Sequence, residues 1–560
     1  MATFSPVARR LRNAQRYVRV LEVLARHGFA DVAEQIGLVG LIEKGKEILG
    51  ATPGKSELPR QVRVRIVLEE LGPTYVKLGQ VLSTRPDLIP QEWADEFKSL
   101  QNSVPGVEYE EIEKVLEQEF GNRIHKLFRS IQKKPLAAAS IAQVHRAVLH
   151  DGARIVLKVL RPGIRDVVEA DMEILRQLAE IAEGHFKDLG YSPTGVVDEF
   201  AREIAKELDL AHEGRSTDRL RSFFEDDHEV VFPKVYWEAT TPNVLALQEI
   251  KGKVFTNLNP ETMEPETRRR LVENGTRAVF RQCLELGFFH ADPHPGNLIA
   301  MPKGRIAFID CGMTGEIDAR TARQLADLVS GVVGGDLDRV MEVVGALGDV
   351  PAEKLEDRNL RNDVNTIISQ FQNTSLDQLD LGKLLSDFFA ALRANRIHCP
   401  SDLMFLIKAL TTIESVGRWI DPTFPLAEFV RPFVEKLIEK RYSFSALRTR
   451  AQKSLLNYLE FAEDLPAELR SLLTQVRRNR FAINIEHRGL TKLTHTIEHA
   501  SRNISFALII AAMLVGSSIL ILAAKNAGLG ALTAIGVAGF LAAGVLVVLM
   551  VISNRRLRDD

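Results

Sequence analysis

Two apolar runs near the C-terminus constrain this chain more than any other feature. Ile504–Ala524 and Ala531–Ile552 contain no charged residue, and each is as long as a helix must be to cross a bilayer's hydrocarbon core of about 30 Å. Only Lys525–Gly530 separates them. A connection that short makes two helices antiparallel, which predicts a transmembrane hairpin with both flanks on one side. His499 and Arg502 precede it and Arg555, Arg556 and Arg558 follow, so the positive-inside bias puts both flanks in the cytoplasm. Ala534, Ala538 and Ala542, spaced by four, offer a stripe for close helix packing.

The remainder is a different kind of polymer. The chain has 560 residues, 45% hydrophobic and 26% charged, enough to bury the cores of several domains and too apolar for disorder. Lysine and arginine number 72 against 74 acidic residues, a formal charge of −2, so no global field draws nucleic acid and none is expected as a partner. Cys283, Cys311 and Cys399 are too few and scattered for a disulfide framework or a thiolate metal site. Residues 8–27, ARRLRNAQRYVRVLEVLARH, hold no acid before Glu22 and place Val18, Leu21, Leu24 and Ala25 at helical spacing. Three readings stand for this segment: a helix lying on anionic lipid, a targeting segment, or an ordinary basic helix.

Between the ends the hydrophobic period changes. Residues 60–120 read as helical, and then Gln143–His150 and Arg154–Leu160 form two strand-like runs around Asp151-Gly152, a short-range hairpin signal. Lys158 sits inside the second run. A long helix is expected over Val196–Phe224, where Glu199, Glu203 and Glu207 share one face and one of them is positioned to pair with Lys158. Another strand, Asn243–Ile250, ends at Lys251-Gly252, and helical segments run from about Pro265 to Leu286. Residues 320–480 read as apolar-periodic helices without further chemistry, and Asn373-Thr374-Ser375 is a coincidental glycosylation-like triplet.

The densest chemistry lies in His290–Ala300, HADPHPGNLIA. Pro293 and Pro295 exclude a continuous helix, so His290 and His294 are not the i, i+4 zinc pair of a metalloprotease. Asp292 and Asn297 are followed, after the strand Arg305–Ile309, by Asp310-Cys311-Gly312. Carboxylate, carboxamide and then a second carboxylate before glycine is the order used for phosphoryl transfer. Magnesium takes hard oxygen donors, which makes Asn297 and Asp310 its candidate ligands and leaves the histidines as scaffold. Upstream, where a glycine loop would cover phosphates, stands Pro135–Ala142 with Ala137, Ala138, Ala139 and Ser140. Alanine disfavours positive φ, so this loop should be stiffer and hold nucleotide differently.

These residues together resemble the UbiB/ADCK family of atypical protein-kinase-like proteins, its bacterial UbiB branch most closely, over roughly residues 60–430 plus the C-terminal hairpin. The most specific marker is Lys77-Leu78-Gly79-Gln80, the family's KxGQ motif. The resemblance implies an α+β, bilobal kinase-like fold: a helical KxGQ extension at 1–120, an N-lobe at 121–252, a mostly helical C-lobe at 253–445, a helical linker at 446–502 and the membrane hairpin at 503–553. It also implies Ala137–Ala139 as the alanine-rich loop and Glu207-Leu208-Asp209 as the ExD motif. Lys158 would contact the α/β-phosphates of ATP or ADP, Asn297 and Asp310 would hold Mg2+, and Asp292 would orient the attacking water or hydroxyl. Lys77 and Gln80 would enter the cleft and meet Glu207 or Asp209 as a gate that favours ATPase behaviour or self-phosphorylation; Glu203 competes as the partner of Lys158. The implied role is support of ubiquinone biosynthesis at the inner membrane, with membrane lipid, quinone precursors and biosynthetic enzymes as partners.

Two departures qualify the match. After the ExD motif the family often continues Glu-Ala-x-Asn, where this chain has Glu213-Gly214-Arg215-Ser216. Cys311 replaces the phenylalanine of DFG, as a small hydrophobe or a redox-sensitive thiol. Two rival readings are a small-molecule kinase of the aminoglycoside or choline type, and a non-catalytic membrane module switched by nucleotide.

Overall fold

The computed structural model describes residues 6–29, 58–83, 85, 88–100, 106–185, 192–348, 350–372, 380–395, 397, 400–442, 490–527, 534–535 and 537–546. The helices α1 (Pro6–Arg26), α2 (Arg60–Leu71), α3 (Pro73–Ser83), α4 (Gln91–Phe97) and α5 (Tyr109–Phe120) precede any strand. β1 (Phe128–Ile131), β2 (Ala137–Ala138), β3 (Ala142–Leu149) and β4 (Arg154–Leu160) follow, and with β6 (Val244–Gln248) they build an antiparallel sheet in the order β1-β3-β4-β6, β2 lying beside β3. The predicted hairpin is present. Gly152 takes φ +88° and the Asp151 carboxylate accepts from Ala153 N at 2.9 Å, so local chemistry fixes the turn.

Strand alternation then decides where Lys158 points. Ile155, Leu157 and Val159 are buried with Ile112, Leu116 and Phe120 of α5, which puts Val156, Lys158 and Leu160 on the opposite face. That face is covered by α2, α3, α6 (Ile164–His185) and α7 (Pro193–Glu207), whose apolar residues form one core with Leu160, Leu245 and Leu247. α1 belongs to the same core: Val20 and Val23 are buried, and Arg16 ion-pairs with the fully buried Asp171 of α6 at 2.6 Å. The segment is a helix whose inner side packs into this core, with Val18 exposed on its outer side.

The long helix expected over Val196–Phe224 is two helices, α7 and α8 (Leu210–Phe223). Asp209 separates them because its carboxylate caps α8, accepting from Ala211 N at 3.1 Å, an alternative that short carboxylate side chains offer to helical bonding. Gly214 lets α8 approach β6; a Cβ there would lie 3.1 Å from Trp237 and 3.2 Å from Leu245.

The second lobe starts from β5 (Val230–Val231), β7 (Lys253–Val254), α9 (Pro265–Phe280), β8 (Phe288–His290), β9 (Leu298–Met301), β10 (Arg305–Phe308) and β11 (Thr314–Glu316). Strands run β5-β10-β9-β7, with β8 paired to β11. Behind them pack α10 (Ala319–Gly334), α11 (Leu337–Gly348), α12 (Arg358–Phe371), α13 (Leu381–Ala394), α14 (Ser401–Ile420) and α15 (Leu426–Tyr442) in one core. All of this lies in one compact unit, Met1–Arg450.

The second unit, Ala451–Asp560, holds α16 (Leu490–Ala527). Its stretch Ile504–Ala523 is long and apolar enough to cross a membrane, with mean hydropathy 2.6, and a shorter apolar helix covers Val537–Leu546. A Cβ on Gly539 would come 2.5 Å from Ser517 Oγ, so these two helices touch through small residues. Gly539 meets Ser517 and Ala543 is buried, while Ala534, Ala538 and Ala542 of the alanine stripe are exposed. The predicted connection, the arginines after the second run and the 446–489 part of the linker lie outside the described residues.

Candidate active site

Lys158 extends from the helix-covered face of β4 to two carboxylates. Its Nζ lies 2.9 and 2.8 Å from the two Glu213 oxygens and 3.0 Å from Asp310 Oδ2. Glu213 is therefore the glutamate that pairs with Lys158. The three expected from helical spacing are engaged elsewhere: Glu199 by Arg85 at 2.7 Å, Glu203 by Lys206 at 2.8 Å and Glu207 by Lys77 at 2.5 Å. The break at Asp209 explains the difference, because it starts α8 afresh and turns its first-turn carboxylate toward the cleft. Two carboxylates then compete for one ammonium. Burial and the neighbouring Asp310 push Glu213 up to about 7 despite Lys158. Asp310 is held well below the usual range, since Lys158 and Gly312 N–H outweigh its burial.

The HADPHPGN segment is a rigid platform. His290 is fully buried and kept neutral mainly by desolvation, and its Nδ1 accepts from Asp292 N at 3.0 Å. His294 Nδ1 accepts from Gly296 N at 3.0 Å, and Asn297 Nδ2 donates to Asp292 O at 3.1 Å. Through these bonds both histidines brace the loop, and both also line the cleft. Asn297 directly precedes β9 and Asp310 closely follows β10; with Leu298 opposite Phe308 and Ile309 N bonded to Asn297 O at 3.0 Å, the strand register carries both to one end. Donation by Nδ2 directs the Asn297 Oδ1 as its remaining acceptor. A carboxylate and a carboxamide oxygen beside a phosphate-sized space form a hard donor set that fits Mg2+. Cys311 is fully buried and desolvation raises its thiol pKa, so it fills its pocket as a small hydrophobe.

Three elements close this space into a cleft of about 570 Å³. Lys77 enters from α3 and, with Glu207, lines its wall. Ala137–Ser140 line another side: β2 pairs with β3 through Ala137↔Val144 and Ala138↔Gln143, and Arg161 Nε donates to Ala139 O at 3.0 Å. The alanine loop is thus hydrogen-bonded to the sheet along one side of the cleft. Ten of the twelve predicted site residues line the cleft; Gln80 and Asp209 do not. Gln80 Nε2 donates to Leu100 O at 3.2 Å, Asp209 caps α8 and pairs with Arg215 at 3.0 Å, and Lys77 pairs with Glu207 at 2.5 Å.

One residue beyond the sequence reading also reaches the site. Lys408 Nζ of α14 lies 3.0 Å from Asp292 Oδ1, from a region expected to carry no chemistry. Its sequence sign was a lone lysine within the apolar run Leu403–Leu410.

A β-lobe lysine paired with a helical glutamate, facing an Asp-Asn loop and a strand-end Asp, defines a kinase-like fold. The sequence matches the ABC1 atypical kinase-like domain over residues 99–344, the UbiB helical domain over 364–425 and the ABC1/UbiB kinase-like C-terminal domain over 488–556. It is 30% identical to the probable protein kinase UbiB of Xylella fastidiosa, covering 83% of this chain and 85% of that one. Identity to the Pseudomonas fluorescens protein of the same name is 32%, over 76% and 80%. The Arabidopsis thaliana chloroplast protein ACTIVITY OF BC1 COMPLEX KINASE 7 is 34% identical over 66% of this chain and 53% of its own length. The chain belongs to the ABC1/UbiB family of atypical kinase-like proteins.

Proposed function

We propose that this protein is a membrane-anchored atypical kinase or ATPase that uses magnesium ATP and supports ubiquinone biosynthesis. The observation that carries the reading is the single cleft in which Lys158, Glu213, Asp310, Asn297 and Asp292 converge beneath the alanine loop. Lys158 neutralises the α/β-phosphates and Ala137–Ser140 cover them. Asn297 and Asp310 hold the Mg2+, which when bound spreads the charge of the transferring phosphoryl group. Asp292 orients the attacking oxygen. Lys77, buried against Glu207 in the same cleft, must move before a bulky acceptor enters, which favours water, the chain itself or a small lipid-soluble acceptor.

The apolar stretch Ile504–Ala523 and its small-residue contact at Gly539 support a two-helix hairpin anchor in the inner membrane. A domain held there is placed for quinone precursors or the enzymes that modify them, in keeping with the UbiB name of its relatives. The test is magnesium-dependent phosphate release by the reconstituted protein beside Asp310→Asn and Lys77→Ala. Wild-type turnover, its loss in D310N and altered nucleotide preference or self-phosphorylation in K77A are expected. Absent turnover, or turnover unchanged in D310N, refutes the reading and favours a nucleotide-binding module.

A further inference from the structure

α14 is the central helix of the second lobe's core. Leu403, Met404, Phe405, Leu406, Ile407, Ala409, Leu410 and Ile413 are buried, and Lys408 interrupts this run with a side chain only 24% exposed. Nothing in the packing of an apolar helix calls for an ammonium there. Placing one so deep carries a desolvation cost that a close carboxylate must offset. That carboxylate is Asp292, 3.0 Å away and itself only 23% exposed.

Among the described residues the other hydrogen bonds of Asp292 are to its backbone: its N–H donates to His290 Nδ1 and its carbonyl accepts from Asn297 Nδ2 and His294 N. Those bonds fix the loop but leave χ1 and χ2 of Asp292 free. The Lys408 contact to Oδ1 is what fixes the carboxylate of Asp292, a residue that lines the cleft. We infer that Lys408 is a positioning residue that aims the Asp292 carboxylate at the phosphoryl acceptor, so that the helical domain contributes directly to the reaction geometry. The inference rests on the phosphoryl-transfer reading given above. Orientation errors near 1 Å cost on the order of 100-fold in rate, while on the proposed reading nucleotide affinity would come from Lys158 and the alanine loop rather than from this pair.

The experiment is steady-state Mg-dependent ATP hydrolysis by the full reconstituted chain, with Mg-ADP affinity measured separately, for wild type, Lys408→Met, Lys408→Arg, Asp292→Asn and D292N/K408M. K408M should lower kcat about 10- to 100-fold, with KM for ATP and Mg-ADP affinity within about threefold, and K408R should recover most of the lost rate. Acting through Asp292, K408M should change the residual rate of D292N less than about twofold, the signature of coupled sites. An unchanged kcat in K408M overturns the inference. So does a joint loss of rate and nucleotide affinity, or a loss that K408R fails to recover. If wild type does not hydrolyse ATP, the functional reading falls and this inference with it; if wild type does and K408M matches it, only this inference falls.

Discussion

The pair between Arg16 and Asp171 fixes how much the N-terminal helix contributes to the active lobe. The Asp171 side chain is fully buried, and Arg16 donates to it twice, from Nε at 2.6 Å and Nη2 at 3.0 Å, while Nη2 also reaches Leu71 O at 2.5 Å. Arg16→Met keeps most of the stem and removes the charge. Removing one partner of a buried pair costs about 3–5 kcal/mol, because the other charge stays uncompensated. The chain has one escape, which is to undock α1 and hydrate Asp171. That exposes Val20 and Val23, at about 1.5–3 kcal/mol each, so the two routes cost similar amounts. Either way, amide exchange in α1 and α2, followed by mass spectrometry, should accelerate about 100-fold or more, tenfold per 1.4 kcal/mol. Arg16 also stands 5.8 Å from the Tyr75 ring on α3, two residues before Lys77, so the same variant should also loosen the packing of α1 on α3. R16M/D171L, apolar on both sides, should return exchange to within about tenfold of wild type. Acceleration below about threefold in R16M, or a double variant no better protected than the single one, refutes the argument.

Two further outcomes follow from local geometry. Gly252→Ala places a Cβ 2.4 Å from both Ala300 O and Ile299 Cγ2; overpacking against backbone should cost about 1–3 kcal/mol or more, and an unchanged melting temperature would contradict it. Asp227 is desolvated, yet Arg277 and the N–H groups of Glu229 and Val230 hold its carboxyl below the ordinary range. With the folded value depressed, its stabilisation is complete above the unfolded pKa of about 4 and is lost as pH falls through the folded one. Asp227→Asn should therefore flatten the acid side of a thermal-stability profile, and an identical acid limb in the variant would refute this.

Local chemistry was legible and long-range partners were not. Asp151-Gly152 announced its hairpin, Pro293 and Pro295 announced an extended loop, and the order of Asp292, Asn297 and Asp310 announced their convergence, because each depends on neighbours a few residues away or on one strand pair. Glu213 was missed because four-residue spacing assumes an unbroken helix, and the Asp209 cap resets the phase. The cap was readable: an aspartate before a renewed helical run, with a carboxylate in the first turn, marks a helix start. Lys408 advertised only that it needed a partner. That Asp292 is the partner depends on how the helical domain packs beneath the loop, which no local pattern encodes.

Charge in the cleft supplies the last step. A net charge of −2 over 560 residues says nothing about polyphosphate binding, but the paired groups do. Lys77 faces Glu207, Lys158 faces Glu213 and Asp310, and Lys408 faces Asp292, three ammonium groups against four carboxylates. Such a site repels a nucleotide unless the excess is removed. A proton on Glu213, pushed up to about 7 by burial and by Asp310, removes it in one way. Asp310 and Asn297 are the residues that would hold a divalent cation, whose charge would offset the excess in another way and leave Lys158 paired with Glu213. On the proposed Mg-ATP reading, Asp310, shared between Lys158 and the candidate metal site, would couple lysine to cation, while Glu213, the carboxylate that sequence spacing overlooked, would keep Lys158 in place.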